Sequence, residues 1–248
     1  MNITAYVNQK GGVGKTTLAL NLGALLAQKG YATLLIDNDS QCNITNTFLQ
    51  SKPEKSMYNV MTEGVLLKDI IQKTEVKNLD IAPNILKSVD TNILIASADC
   101  RELILKNAIE KSDLKYDYIL VDCNGALDLC MINALATANN AIIPIDCSAY
   151  SLTGLSNLIQ YINQVKSLNK GLEIKGFVLN NIDRRSNIAE MLRSAIDSAF
   201  PNKLLKQDIS MSSVFAKMQY SKKTIIDHKN TKSYKELKEL LSEVFNVK

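Results

Sequence analysis

The run Gln9-Lys10-Gly11-Gly12-Val13-Gly14-Lys15-Thr16-Thr17 limits the folds open to this chain more than any other stretch. It follows a short apolar segment and precedes one with apolar residues at helical spacing. A glycine-rich turn between a strand and a helix points backbone N–H groups into a concavity, and the helix dipole adds its positive end there. That is a cradle for phosphate, and it requires a buried strand behind it and a helix packed on the sheet. In such a loop the backbone of Gly11, Gly12, Val13 and Gly14 wraps the phosphates and Lys15 reaches the β/γ oxygens. The Thr16 hydroxyl suits Mg²⁺, and Thr17 suits an α-phosphate oxygen. The usual G-x-x-x-x-G-K-[ST] spacing holds except at its first position, where Gln9 replaces glycine.

The rest of the chain repeats the alternation that this loop implies. Residues 2–8, 32–37, 78–82, 117–123, 141–147 and 174–180 read as buried strands, and 15–29, 96–111, 152–169 and 187–199 as helices. The expected fold is therefore α/β: a single-domain P-loop NTPase over residues 1–248 with a mostly parallel, doubly wound sheet. Residues 38–77 are more polar and are expected to form loops and short helices. Over 232–246, Tyr234, Leu237, Leu240, Leu241, Val244 and Phe245 fall on one helical stripe. Glu236, Glu239 and Glu243 interleave with Lys235 and Lys238, which favours docking on the domain over a basic helix lying on a membrane.

With 29 Lys+Arg against 25 Asp+Glu, the net charge of +4 is too small to indicate nucleic-acid binding, so any such contact has to come from a local patch. No apolar run reaches the length of a spanning helix, and the N-terminus lacks the pattern of a secretion signal, so a soluble, cytoplasmic protein is expected. The five cysteines are scattered, without a CxxC pair, which argues for reduced thiols and against a bridging iron–sulfur cluster.

The segment Lys10-Gly-Gly-Val-Gly-Lys-Thr-Thr resembles the variant phosphate loop of the ParA/MinD family, and especially its small, Soj-like DNA-partitioning members. The resemblance implies an ATPase that uses ATP and Mg²⁺, with Lys10 crossing a homodimer interface to the partner's nucleotide. Ile36-Asp37-Asn38-Asp39-Ser40-Gln41-Cys42-Asn43 is similar to the family's D-x-D-P-Q-x-N segment. By that likeness Asp39 positions the attacking water and Asp37 supports the magnesium site. Both aspartates also fit a plain turn and helix cap. Tyr118-Ile119-Leu120-Val121-Asp122-Cys123 ends an apolar strand on a carboxylate, which puts Asp122 on a magnesium-bound water. Ser40 and Asn124-Gly125 stand where the family carries prolines, which implies looser switch loops. Asn180 and Asn181 resemble the adenine-contacting strand end. An asparagine offers a purine edge both a donor and an acceptor, and either residue also fits a strand-end cap.

A ParA-like switch implies non-specific duplex DNA and a ParB-like centromere-binding protein as partners, slow hydrolysis stimulated by that protein, and a place at the nucleoid. Arg185 resembles a DNA-contacting position, Val214 falls where the family has another base, and Lys217, Lys222 and Lys223 stand in for it. The chain starts at its first strand, without the helix-turn-helix extension of larger relatives, so operator binding is not expected. The alternative is a MinD-like membrane-associated positioning ATPase. The acidic residues of the tail argue against that, and no stable membrane association is expected.

Overall fold

The computed structural model describes residues 1–147, 151–183, 185 and 187–247, without the side chains of 151–153. Arg184, the neighbour of Arg185, and the side chains of Leu152 and Thr153 lie outside the described residues.

The strands are β1 (Asn2–Tyr6), β2 (Thr33–Asn38), β3 (Gln72–Lys73), β4 (Leu79–Ala82), β5 (Tyr118–Cys123), β6 (Asn140–Ile145), β7 (Glu173–Ile182) and β8 (Ile209–Ser210). The helices are α1 (Lys15–Gln28), α2 (Asn43–Phe48), α3 (Met57–Glu63), α4 (Thr91–Leu94), α5 (Ile104–Lys111), α6 (Leu129–Thr137), α7 (Ser151–Val165), α8 (Ile188–Ala199), α9 (Ser213–Ser221) and α10 (Lys232–Phe245). Among the described residues one eight-stranded sheet forms, in the order β3-β4-β2-β5-β1-β6-β7-β8. Only the β3–β4 pair is antiparallel. The strands are apolar on both faces because both faces are covered.

Alternate residues of each strand feed two cores. Ile3, Ala5, Leu34, Ile36, Ile119 and Val121 face one side, packed with α3, α5, α6, α7 and α8. Tyr6, Leu35, Leu120, Ile142, Val178 and Ile209 face the other, beneath α1, α9 and α10. The apolar stripe of α10 is consumed in this second core, with Leu237, Leu240 and Leu241 fully buried. Its polar side is tied down as well. The buried Glu236 carboxylate accepts from the Ser210 amide (3.0 Å) and hydroxyl (2.7 Å), and Glu243 accepts from the amides of Lys206 (2.8 Å) and Gln207 (3.1 Å). Two of the three acidic residues that argued against a membrane helix, Glu236 and Glu243, thus fasten this one to the β8 edge.

The helix expected over 96–111 starts only at Ile104. Cys100 takes a left-handed conformation (φ 49°), which breaks the helix, and buried Asn133 of α6 supplies the new start. Asn133 Oδ1 accepts from the Leu105 amide at 3.0 Å and its Nδ2 donates to the Arg101 carbonyl at 2.7 Å, satisfying a helix-end donor from outside the helix. Among the described residues no helix is long and apolar enough to cross a membrane.

Candidate nucleotide site

In an open parallel sheet, ligands bind at the carboxyl ends of the strands where the winding reverses. Here that point is β1, between β5 and β6: the chain leaves it for β2 on one side and later crosses it to reach β6 on the other. The loop 7–14 emerges there and leads into α1. A cleft of about 610 Å³ opens above it, lined by Gly11, Gly12, Gly14, Lys15, Thr16 and Thr17 of the loop, by Asp39, and by Asn124 and Gly125 after β5. The sheet edge therefore gathers the phosphate loop, the loop after β2 and the loop after β5 around one cleft.

Gly14 requires glycine on two grounds. Its φ is +99°, and a Cβ would stand 2.0 Å from Asn180 Nδ2. That amide donates to the Val13 carbonyl at 2.7 Å, so Asn180 braces the phosphate loop from beneath. One of the two amide hydrogens that Asn180 could offer to adenine is engaged by the loop, and neither Asn180 nor Asn181 lines the cleft. Asn181 is exposed, with a left-handed φ of 58°.

The two loop lysines differ sharply. Lys15 is buried; its Nζ donates to the Lys10 carbonyl at 3.1 Å, curled inside the loop. Desolvation lowers its pKa, with Asp122, Cys123 and Asp39 opposing that in turn. Lys10 points elsewhere, and its Nζ pairs with Asp146 beyond the end of β6. Its side chain is 41% exposed.

The aspartates follow from strand register. Asp37 and Asp122 are direct neighbours on β2 and β5, and like Leu35 and Leu120 two residues earlier they face the α1 side. Asp122 is fully buried, and neither of its carboxylate oxygens has a hydrogen-bond partner of ordinary geometry. Its pKa lies well above the usual carboxylate range, first through burial and then through Asp37; the Thr16 hydroxyl, close by, pulls the other way. A buried carboxylate with no hydrogen bond of ordinary geometry, facing a hydroxyl at the mouth of a phosphate cradle, fits a hard divalent cation bound through oxygen and water. Thr16 and Asp122 are the residues that would hold it. Asp37 is engaged differently: its Oδ2 accepts from the Thr45 amide (2.9 Å) and hydroxyl (2.6 Å), and its Oδ1 from the Asp39 amide (3.3 Å). Burial lifts its pKa to about 6 against these hydrogen bonds. Asp37 thereby anchors the loop that carries Asp39, and its charge acts on the neighbouring Asp122. Asp39 Oδ1 accepts from the Gln41 amide (2.9 Å), and the residue lines the cleft.

Several lining residues escaped the sequence reading. Asn84, Ser88, Thr91, Asn92 and Asp128 form the wall opposite the phosphate loop. Asp128 caps α6 by accepting from the Met131 amide (3.0 Å), and its other oxygen accepts from Asn92 (2.7 Å) and Asn124 (2.8 Å). An aspartate just before an apolar helical run is a legible cap signal, but nothing in sequence ties it to Asn92.

The basic residues read as DNA contacts divide. Lys217 is exposed on α9, and Arg185 is exposed but held by Asp183 through Nε (2.9 Å) and Nη2 (2.8 Å). Lys222 and Lys223 line a smaller pocket with Thr16, Thr17, Phe215, Met218 and Gln219, so they stand beside the phosphate loop as well as facing solvent. Because β7 and β8 run parallel, the loops carrying these residues leave the sheet at the same edge as the phosphate loop.

Residues 1–174 match a family described as an AAA domain. The chain is 39% identical over 207 residues to the sporulation initiation inhibitor protein Soj of Bacillus subtilis, covering 82% of each chain. It is 35% identical over 207 residues to the chromosome partitioning protein ParA of Myxococcus xanthus, covering 82% of this chain and 73% of the relative. Among solved structures, a plasmid partition protein from Borrelia burgdorferi B31 bound to AMPPNP superposes with a TM-score of 0.86 at 24% identity, covering 99% of this chain and 98% of that one. The McdA–ATP complex of Cyanothece gives 0.88 at 19% identity, covering 100% and 97%. At those identities the structural likeness speaks for the fold, and the curated relatives speak for the family. By that sequence match, and with a strand–loop–helix cradle that presents two lysines, the chain belongs to the ParA/MinD family of P-loop ATPases.

Proposed function

We propose that this protein is an ATP-dependent dimerising switch for plasmid or chromosome partitioning, whose ATP-bound dimer holds duplex DNA without regard to sequence and whose hydrolysis step releases it. One observation carries the reading: Lys15 curls into its own phosphate cradle, whereas Lys10 of the same loop turns away to Asp146. That division between the two lysines supports a role for Lys10 toward the phosphates of a second subunit. Support for ATP and Mg²⁺ comes from the orphaned Asp122 beside Thr16 and from similar structures described with AMPPNP or with ADP and magnesium. Relatives named for chromosome partitioning support the biological role.

In the proposed cycle Lys15 and the loop amides of Gly11 to Thr17 neutralise the triphosphate, with Thr17 on the α-phosphate. Magnesium, which Thr16 and Asp122 would hold with Asp37 behind them, would supply neutralisation of the triphosphate's charge. Asp39 orients the attacking water, and Asp37 keeps Asp39 in place through the loop amide. Asn180, through the rest of its side-chain amide, and then Asn181 are the strand-end candidates for adenine. Arg185, Lys217, Lys222 and Lys223 form the DNA-facing edge, with Arg185 exchanging Asp183 for phosphate. A ParB-like protein at the centromere accelerates the slow hydrolysis, and the protein acts in the cytoplasm at the nucleoid. The MinD-like membrane reading loses its natural anchor, because the apolar stripe of α10 is buried in the core.

Lys10→Ala should leave ATP affinity of the monomer within about threefold while removing the ATP-dependent dimer from size exclusion. An unchanged dimer fraction would place Lys10 outside any interface. The DNA edge is tested by salt. Counterion release gives a slope of log K against log salt of about −0.9 per phosphate contacted, so one contacting residue lost per subunit flattens a dimer's slope by about 1.8. Lys217→Ala should flatten it by about 1.8 and the double change Lys222→Ala/Lys223→Ala by about 3.6, for all duplex sequences and with ATP-driven dimerisation retained. A slope equal to the parent's in both variants would remove these lysines from the DNA surface.

A further inference from the structure

Between β4 and β5 the chain exposes apolar side chains where none is needed for its own core. Leu86 is 71% exposed, Val89 63%, Ile93 77% and Leu94 50%. The cause is local geometry. Residues 86–90 form a 3-10 turn, in which positions three apart eclipse, so Leu86 and Val89 share one side, and Ile93 and Leu94 follow on the single turn of α4. The same segment also faces inward: Ser88 and Thr91 line the nucleotide cleft with buried hydroxyls that lack a partner, and Val89 itself lies at the cleft mouth. One nine-residue stretch therefore carries the wall of the cleft on its inner side and an apolar ridge on its outer side.

We infer that the ridge of Leu86, Val89, Ile93 and Leu94 is the apolar part of the surface that closes on a second copy of this chain when nucleotide is bound. The inference rests on the proposed dimer, in which Lys10 of each copy serves the other's phosphates. A partner that delivers a lysine into the cleft has to cover the cleft mouth, and the ridge is continuous with that mouth through Val89. Exposed Lys87 and Asp90 punctuate the ridge, so each copy offers both charge signs, as a self-complementary two-fold contact requires. The size also fits a conditional contact. Four side chains fall well short of the roughly 800 Å² per partner of a stable interface, so the ridge cannot hold two copies together without the contacts made through nucleotide. A membrane is the weaker occupant, since a single helical turn has too little length to lie in a bilayer surface.

The test compares Ile93→Asp, Leu86→Asp and the conservative Ile93→Leu, each in an Asp39→Ala background that slows hydrolysis, by sedimentation velocity with ATP and with ADP. Both residues lie outside the cleft lining and are more than two-thirds exposed, so the monomers should melt within about two degrees of the parent. The expected result is a dimer dissociation constant raised at least tenfold in both aspartate variants and unchanged in Ile93→Leu, with ATP affinity of the monomer retained. Dimerisation equal to the parent's in the aspartate variants overturns the inference while leaving the dimer reading intact. So does a loss of partner-protein or liposome binding without a change in dimerisation, which would give the ridge another occupant. If the Asp39→Ala parent stays monomeric with ATP, the dimer reading falls, and this inference falls with it.

Discussion

Lys15→Ala is expected to weaken ATP binding by about a hundredfold or more, because truncating one partner of a buried, hydrogen-bonded charge pair costs about 2–5 kcal/mol. Lys15 is buried inside the loop, its ammonium within 3.1 Å of the Lys10 carbonyl, and desolvation already lowers its pKa. Phosphate charge arriving at that position relieves the desolvation and stabilises the ammonium. Without it, the triphosphate meets only the loop amides, and Asp39 and Asp122 nearby then repel it. Calorimetry decides the matter: affinity within a few-fold of the parent would mean that Lys15 does not hold the phosphates. Stability should change little, since the ammonium makes no ion pair within this loop that the fold depends on.

Asp39→Ala should bind ATP about as tightly as the parent and turn it over about 10²- to 10⁴-fold more slowly, the range typical for loss of a positioned acid–base group. The phosphate cradle comes from residues 11–17 and does not depend on Asp39. The loop that carries Asp39 is held independently, through Asp37 to Thr45 and through Asn84, whose Nδ2 donates to the Asp39 carbonyl at 3.4 Å. Removing the carboxylate therefore takes away the water's orientation without collapsing the cleft. Size exclusion with ATP should give a long-lived dimer. Turnover near the parent's rate would reduce Asp39 to a turn-forming residue whose Oδ1 serves only the Gln41 amide.

The sheet and the phosphate loop were legible because their signals are local: apolar runs, a glycine pattern, and a carboxylate ending each of two strands. Strand register then brings Asp37 beside Asp122, a juxtaposition that follows once the two runs are placed side by side. What could not be read depends on contacts between distant segments. Asn180 looks like a base reader in isolation, and only its approach to Val13 and Gly14, 167 residues away in sequence for the hydrogen bond, reveals the brace. The late start of α5 has the same origin, since the side chain that ends the preceding turn belongs to α6. The two-residue strands β3 and β8 are too short for any periodicity, and their pairing with β4 and β7 defines them. The lysines at 222 and 223 read as a plain surface cluster, because nothing in their neighbours announces a pocket shared with Thr16 and Thr17.

Co-sedimentation of the unmutated protein with plain duplex DNA and, in parallel, with anionic liposomes, each with ATP, ADP or no nucleotide at low salt, tests the switch most directly. A partitioning ATPase of the proposed kind pellets with DNA of any sequence in ATP, stays largely in the supernatant with ADP or without nucleotide, and ignores the liposomes. Binding to DNA that is indifferent to nucleotide, or ATP-dependent binding to liposomes with none to DNA, would contradict it.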